Sequence, residues 1–439
     1  MKKILFIIFL QMMFSPLSAQ SLPDDSLTDG NFQYKIHLLL QQATQGKNQA
    51  INQQLISDQT QNGRAQHPWQ ILMFLAEHDR PLAETLNQLR SRIQQGVLMQ
   101  ATVLITPRVK DPDTLKIEKM YFIYNDGEKP ITQSFDASYV TQTEELLSML
   151  AKNLQENNPD LYTAMVVDAH GNGATMKYKL HQEENTFSVV NLLQIFEQKQ
   201  TKLDLLVLDS CGMSSFFSLY YLTQTDMVDY LVASSDTMYV AADVMYYHVL
   251  RFLNYEPREA AVRSVRYRPR FLHFDSSWHT TNASALDLQL LRGKFQDWLN
   301  EYYALTERIP TTQQATTTWF STPKTIRSVT HTLIHQQRYL QEHAKELTGT
   351  KSLSDCHNLD IINTFIQKSR SLMDALHIAT LTQWCYSPQE DRLYWEDIPD
   401  DECLGSVSMS LYQLELVLEQ EKNKLAQYSH QQYACRFHF

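Results

Sequence analysis

Cys211 and His170 are the side chains whose type and setting suit bond-making chemistry. Cys211 stands in Asp209-Ser210-Cys211-Gly212, after the apolar run Leu203–Leu208. The thiolate, not the thiol, is the nucleophile, and a cysteine at the start of a helix has its anion favoured by the helix end. Ser214–Leu222 reads as that helix. His170 stands in Asp168-Ala169-His170-Gly171-Asn172-Gly173, after the apolar run Ala164–Val167. An imidazole beside a thiolate shuttles the proton to a leaving amine, so the pair suits acyl transfer. The glycines after His170 let backbone approach a ligand closely. The amides of Gly171 and Cys211 are the candidates to hold an oxyanion. Either residue alone reads more readily as structural; the pairing is what carries the chemistry.

A dyad drawn from distant positions needs a scaffold that brings two strand ends together. Trp69–Ala76 is a nearly continuous apolar run, as in a strand buried on both faces. Leucines at 82, 86 and 89 give a helical period over 81–93. Further strands are expected at Val103–Ile105, Met120–Tyr124, Ala164–Val167, Leu203–Leu208 and Tyr230–Ala233, with helices over 140–154 and 189–200. The alternation predicts an α/β fold, a mostly parallel sheet flanked by helices. In such sheets ligands gather beyond the carboxyl ends of the strands, where both motifs lie. Residues 67–280 are expected to form this catalytic unit. Residues 281–439 read as a more helical C-terminal region, with helices over 286–306, 325–347, 360–376 and 414–428 and a short strand at 406–411.

The chain has 439 residues, 43% hydrophobic and 20% charged, with a formal net charge of −11. No Lys/Arg stripe follows the N-terminus, which argues against a nucleic-acid partner. Lys2 and Lys3, the apolar stretch 4–14 and the small residues up to Ala19 read as a signal peptide cleaved near Ala19. The expected destination is outside the cytoplasm, secreted or periplasmic, without stable membrane insertion. Residues 20–66 are polar and glutamine-rich, a leader or pro-segment. Export permits disulfides, and Cys356, Cys385, Cys403 and Cys435 are expected to form two, leaving Cys211 a thiol. Four cysteines allow three pairings.

Beyond the dyad the sequence resembles the clostripain-like cysteine peptidases, of the clan that includes caspases, legumain and gingipain. Their pattern is a strand ending in His-Gly and then a strand ending in Asp-x-Cys; here these read VVDAHGNG at 166–173 and LDLLVLDSCGMSS at 203–215. Similar blocks are WQILMFLAEHDRPLAETLNQL at 69–89, YLVASSDTMYVAADVMYYHVL at 230–250, TNASALDLQLLRGKFQDWL at 281–299, HNLDIINTFI at 357–366 and LGSVSMSLY at 404–412. The resemblance implies a caspase-like fold and a cysteine endopeptidase acting on peptide or protein substrates. Asp209 matches the family position implicated in the S1 pocket, which implies cleavage after Arg or Lys by charge-assisted hydrogen bonding. Asp236 is a second candidate for the same wall. Two departures bear on subsite shape: Ala174 stands where an aromatic is common, and Ala242-Asp243 where a Gly-Trp pair is common.

Other readings on the same fold are a transpeptidase and an exported interaction protein without turnover. Asp168 is near His170 in sequence, but no triad is assigned. No metal site is expected; calcium dependence occurs in the family but no calcium-binding loop motif is visible here, and no other cofactor is called for. Lys177 and Lys179, in a loop-like polar stretch, are candidate processing points. His331, His335 and His343 read as a solvated helix face, Asn282-Ala283-Ser284 as a sequon by pattern only, and Trp319-Phe320 and Tyr394-Trp395 as core.

Overall fold

Apolar runs with no polar alternation need cover on both sides, and that requirement organises the molecule. The computed structural model describes residues 65–76, 82–106, 119–125, 129–136, 142–152, 154, 158, 160–180, 183–236, 250–266, 281–320, 326–348, 353–387, 392–395 and 406–434. The strands in chain order are β1 (Trp69–Ala76), β2 (Leu98–Thr106), β3 (Lys119–Asn125), β4 (Pro130–Asp136), β5 (Tyr162–Asp168), β6 (His170–Gly171), β7 (Thr175–Leu180) and β8 (Glu183–Ser188). They continue with β9 (Leu203–Asp209), β10 (Val228–Ala233), β11 (Thr281–Asp287), β12 (Ile326–Ser328), β13 (Thr380–Ser387), β14 (Arg392–Trp395) and β15 (Ser408–Ser410).

Ten of them form one sheet in the order β14-β13-β11-β10-β9-β5-β1-β2-β3-β4. The five central strands, β10-β9-β5-β1-β2, run parallel. The wings are antiparallel: β3 and β4 on one side, β11, β13 and β14 on the other. Most strands thus share one direction, and the α/β architecture expected from the alternation is the one found.

The side chains of the central strands divide between two cores. Leu72, Phe74, Val167, Leu206 and Leu208 bury against helices that include 189–198, 294–308 and 353–379. Ile71, Met73, Val166, Leu205 and Val207 bury on the opposite face, against helices 82–94 and 257–266. This two-sided burial is why the runs carry no polar alternation.

Several elements differ from expectation. Thr281–Leu286 forms most of a strand, and the helix that follows begins at Lys294. Small residues, Ala283 and Ala285 on one face and Ser284 on the other, hid a period of two. The sheet therefore runs on past residue 280, and residues 60–439 cluster as one compact unit. The stretch around Lys177 and Lys179 is strand, not loop. It pairs with β6 on one side and β8 on the other, and Lys177 forms an ion pair with Glu184 at 2.6 Å. Cutting there requires the strand to leave its sheet. The histidine face is half-buried and packs on aromatic rings. His335 stacks on Trp319 at 3.9 Å between ring centroids, and His343 stacks on Tyr339 at 4.4 Å. Phe320 is buried, as expected of core.

The signal peptide, the polar leader as far as residue 64, Ala242, Asp243, Cys403 and Cys435 lie outside the described residues, as do the side chains of Cys356, Cys385, Tyr394 and Trp395. Among the described residues no helix is long and apolar enough to cross a membrane.

At the amino end of β9, Asp204 accepts a hydrogen bond from the Thr163 amide at 2.7 Å. Burial above all, with the nearby Asp229 charge adding and the Thr163 bond and Lys202 opposing, pushes its carboxyl up to about 6. The unfolded chain holds the same acid near its ordinary, lower value. Its contribution to stability is therefore complete below that lower value and is lost as pH rises through about 6. Asp204→Asn keeps an acceptor for Thr163 and removes the buried charge. Urea unfolding of the variant is expected to show a gain over the parent near pH 7, at most about 3 kcal/mol, that shrinks toward pH 4. Parallel curves for the two proteins would assign the titration elsewhere.

Candidate active site

The site is built from the register of two strands. β5 and β9 are parallel neighbours with Asp168 opposite Asp209, so His170 and Cys211 each lie two residues beyond a matched pair. Alternation puts Asp168 on the face of Ala164 and Val166, and Asp209 on the face of Leu205 and Val207. Cys211 packs against the core on that same face. It is a half-buried thiol, not part of a disulfide, and His170 is exposed.

The loops after the two strands meet backbone to backbone. A Cβ placed on Gly171 would lie 3.0 Å from the Cys211 nitrogen, and nearer still to its carbonyl oxygen. Only a glycine fits that contact. Gly173 and Gly212, both with positive φ, face each other across the same gap. The Asn172 side chain shapes the histidine loop by accepting from the amides of Ala174 and Thr175 at 3.0 and 2.8 Å. Ala174, where the family pattern favours an aromatic, is buried in the core and has no room for a larger side chain facing a cleft.

The cysteine turn is held from two further directions. The Gly212 amide donates to the Asp236 carbonyl at 2.8 Å, and the Ser214 amide to the Ser234 carbonyl at 2.7 Å. The segment 234–236 is itself fastened to β11. Asn282 Oδ1 accepts from Ser234 Oγ at 2.8 Å and the Ser235 amide at 2.9 Å, while its Nδ2 donates to Ser235 Oγ at 2.7 Å. On the other side, the Ser408 amide of β15 donates to the Ser214 carbonyl at 2.9 Å, and Ser214 Oγ donates to the Ser406 carbonyl at 2.5 Å.

The residues singled out in the sequence therefore fall at one edge. His170, Gly171 and Cys211 come together. Asp209 is buried, 7% exposed, one strand position beneath the cysteine turn. Asp236 is half-buried in the neighbouring loop, and its carbonyl braces Gly212. One expectation is corrected. The helix after Cys211 runs over Phe216–Leu222 with Ser215 as its N-cap, so it starts five residues after the cysteine. Helix-end fields fade within the first turn, so the helix end is too far along the chain to play the part expected of it at Cys211. Sequence reasoning missed Asn282, Ser215, Ser408 and Gln413 as site residues. Asn282 carried a signal of the wrong kind: its Asn-Ala-Ser triplet marks a buried bracket, 2% exposed, whose amide is fully engaged. Among the described residues no group of three or more His, Cys, Asp or Glu is gathered as a metal ion would need.

The family model that matches this chain is that of the clostripain family (peptidase family C11), over residues 94–415. No curated protein matches it. Among solved structures, a secreted C11 cysteine protease from Bacteroides thetaiotaomicron, called iotapain, is 12% identical with a TM-score of 0.47, over 83% of this chain and 100% of that one. A secreted C11 cysteine protease from the same organism, in complex with an irreversible peptide inhibitor, is 13% identical with a TM-score of 0.47, over 83% and 99%. An inactive zymogen C11 protease from Parabacteroides distasonis is 12% identical with a TM-score of 0.46, over 83% and 99%.

Two substitutions test the bracing. Gly171→Ala must push the Cys211 backbone aside, an overpacking expected to cost about 1–3 kcal/mol in denaturant unfolding. Asn282→Ala strips the partners from Ser234 and Ser235 and is expected to cost at least about 2 kcal/mol. Parent-like midpoints for both would mean that the loops tolerate separation.

Proposed function

This chain belongs to the clostripain family, and on that premise we propose that it is a secreted cysteine endopeptidase with a His170/Cys211 dyad that cleaves after Arg or Lys. The observation that carries this reading is the matched Asp168–Asp209 register with Gly171 packed on Cys211, which sets the two side chains at neighbouring strand ends. His170 takes the thiol proton, and the Cys211 sulfur attacks the scissile carbonyl. The carbonyl oxygen becomes an oxyanion between the amides of Gly171 and Cys211. His170 then gives its proton to the departing amine, leaving a thioester. Water, deprotonated by His170, releases the acid and restores the thiol.

Asp209 is proposed as the selector for the substrate side chain. A carboxylate buried two residues before the nucleophile suits a guanidinium or ammonium entering beside it, because a charge-assisted bond strengthens away from water. Asp236 is proposed for the adjoining wall. The substrate is a peptide or protein, and none of these steps calls for a cofactor. Export is proposed from the basic and apolar N-terminal segment, with the signal peptide removed near Ala19.

Fluorogenic peptides differing only at P1 (Arg, Lys, Asp, Asn, Leu) test the reading. Cleavage is expected after Arg and Lys and is expected to be lost in Cys211→Ala. Asp209→Asn is expected to lower kcat/KM for these peptides by roughly a hundredfold or more, about the loss of one charged contact. Cleavage after another residue would discard Asp209 as selector. No cleavage of any peptide by parent or trimmed protein would discard the endopeptidase.

A further inference from the structure

We propose that Ser215 is a positioning residue that ties the cysteine turn to the histidine loop through its side-chain hydroxyl. The inference rests on the dyad proposed above and assigns a role to a residue that never meets the substrate.

Ser215 is fully buried. Its Oγ donates to the Gly173 carbonyl, three residues past His170. The same oxygen accepts from the Ser218 amide at 3.1 Å as N-cap of the helix that follows the cysteine turn. One hydroxyl thus uses its proton on the histidine loop and a lone pair on the helix that follows the cysteine turn. Neighbouring contacts fix the position from which it does so. The Ser215 backbone bridges Ser408, and the amide beside it is held by Ser234. Gly173 has no latitude of its own: its φ is +87°, and a Cβ there would run into the Gln413 side chain. Gln413 is buried and fixed in turn, accepting from the Ser410 amide at 3.0 Å. Gly173 therefore sits between a hydroxyl that pulls and an amide side chain that stops it.

His170 and Gly171 pair with β7, and the glycines after His170 decide where the exposed imidazole stands; thiolate formation depends on how often it stands beside the sulfur. The Ser215 bond holds the second of those glycines, Gly173. It acts on the distance between the dyad's partners, not on substrate affinity, so its loss is read in kcat and in the acidity of the thiol.

The test uses the full chain with parent, Ser215→Gly, Ser215→Thr and Ser215→Val. Glycine is nearly as good an N-cap as serine, so Ser215→Gly removes the cross-loop bond and spares the helix. Threonine and valine share a shape and differ in the hydroxyl. Peptide hydrolysis and the pH dependence of Cys211 alkylation by iodoacetamide are measured, with thermal melting to establish that each variant folds. We expect Ser215→Gly to lose roughly tenfold to a hundredfold in kcat with KM within about twofold. Its alkylation profile is expected to move up toward an ordinary thiol, near about 8.5. Ser215→Thr is expected to be restored relative to Ser215→Val. A folded Ser215→Gly with the parent's kcat and alkylation profile would overturn the proposal. So would equal behaviour of the threonine and valine variants. If the parent cleaves no peptide, the endopeptidase reading fails on that arm, while the alkylation profiles still decide the role of Ser215.

Discussion

The absence of one side chain sets how closely the two strand-end loops approach. At Gly171 the backbone of the histidine loop lies against the backbone of Cys211, closer than any residue with a Cβ allows. Strand register brings the two ends to the same height, but register alone leaves them a full strand spacing apart. The glycine contact lets the loops close the remainder. Everything else at this edge restrains what that contact leaves loose: the left-handed turns at Gly173 and Gly212, the Asn172 side chain, and the hydroxyls of Ser214 and Ser215.

Burying polar groups is costly unless they are hydrogen-bonded, and the segments around 234–236 and 406–410 supply partners for Gly212, Ser214 and Asn282. Asn282 is the clearest case, with both ends of its amide committed to Ser234 and Ser235. The same arrangement transmits stiffness. Gly212 is held by the carbonyl of Asp236, and that segment is held by Asn282, so a strand of the sheet's antiparallel wing steadies the cysteine turn without touching it.

The central strands and the positions of the two motifs at their ends were legible because their signals are local. Continuous apolar runs such as Trp69–Ala76 report burial on both faces, and a His-Gly or Asp-x-Cys at a run's end reports an exposed tip. The wing strand β3 was legible at Met120–Tyr124, but β11 was not, for the opposite reason. Thr281–Asp287 is built of small residues whose burial is decided by neighbours distant in the chain, and its flanking Asp-Leu reads as a helix start. Ser215 and Gln413 look like ordinary polar residues in sequence; only the fold shows that one caps a helix while reaching another loop, and that the other fills the space a glycine leaves. The helix end expected beside Cys211 failed on a boundary: the helix begins at Phe216 rather than Ser214, and the side chains of Ser214 and Ser215 bond to Ser406 and Gly173.

The support for the cysteine turn comes late in the chain. Ser408 and Ser214 pair across a separation of 194 residues, and Gln413 follows close behind. Bonds that span so much chain form only after the intervening elements have collapsed. A growing chain therefore carries Cys211 and His170 for most of its synthesis without this late strut, and the edge is complete only once residues 406–413 have emerged.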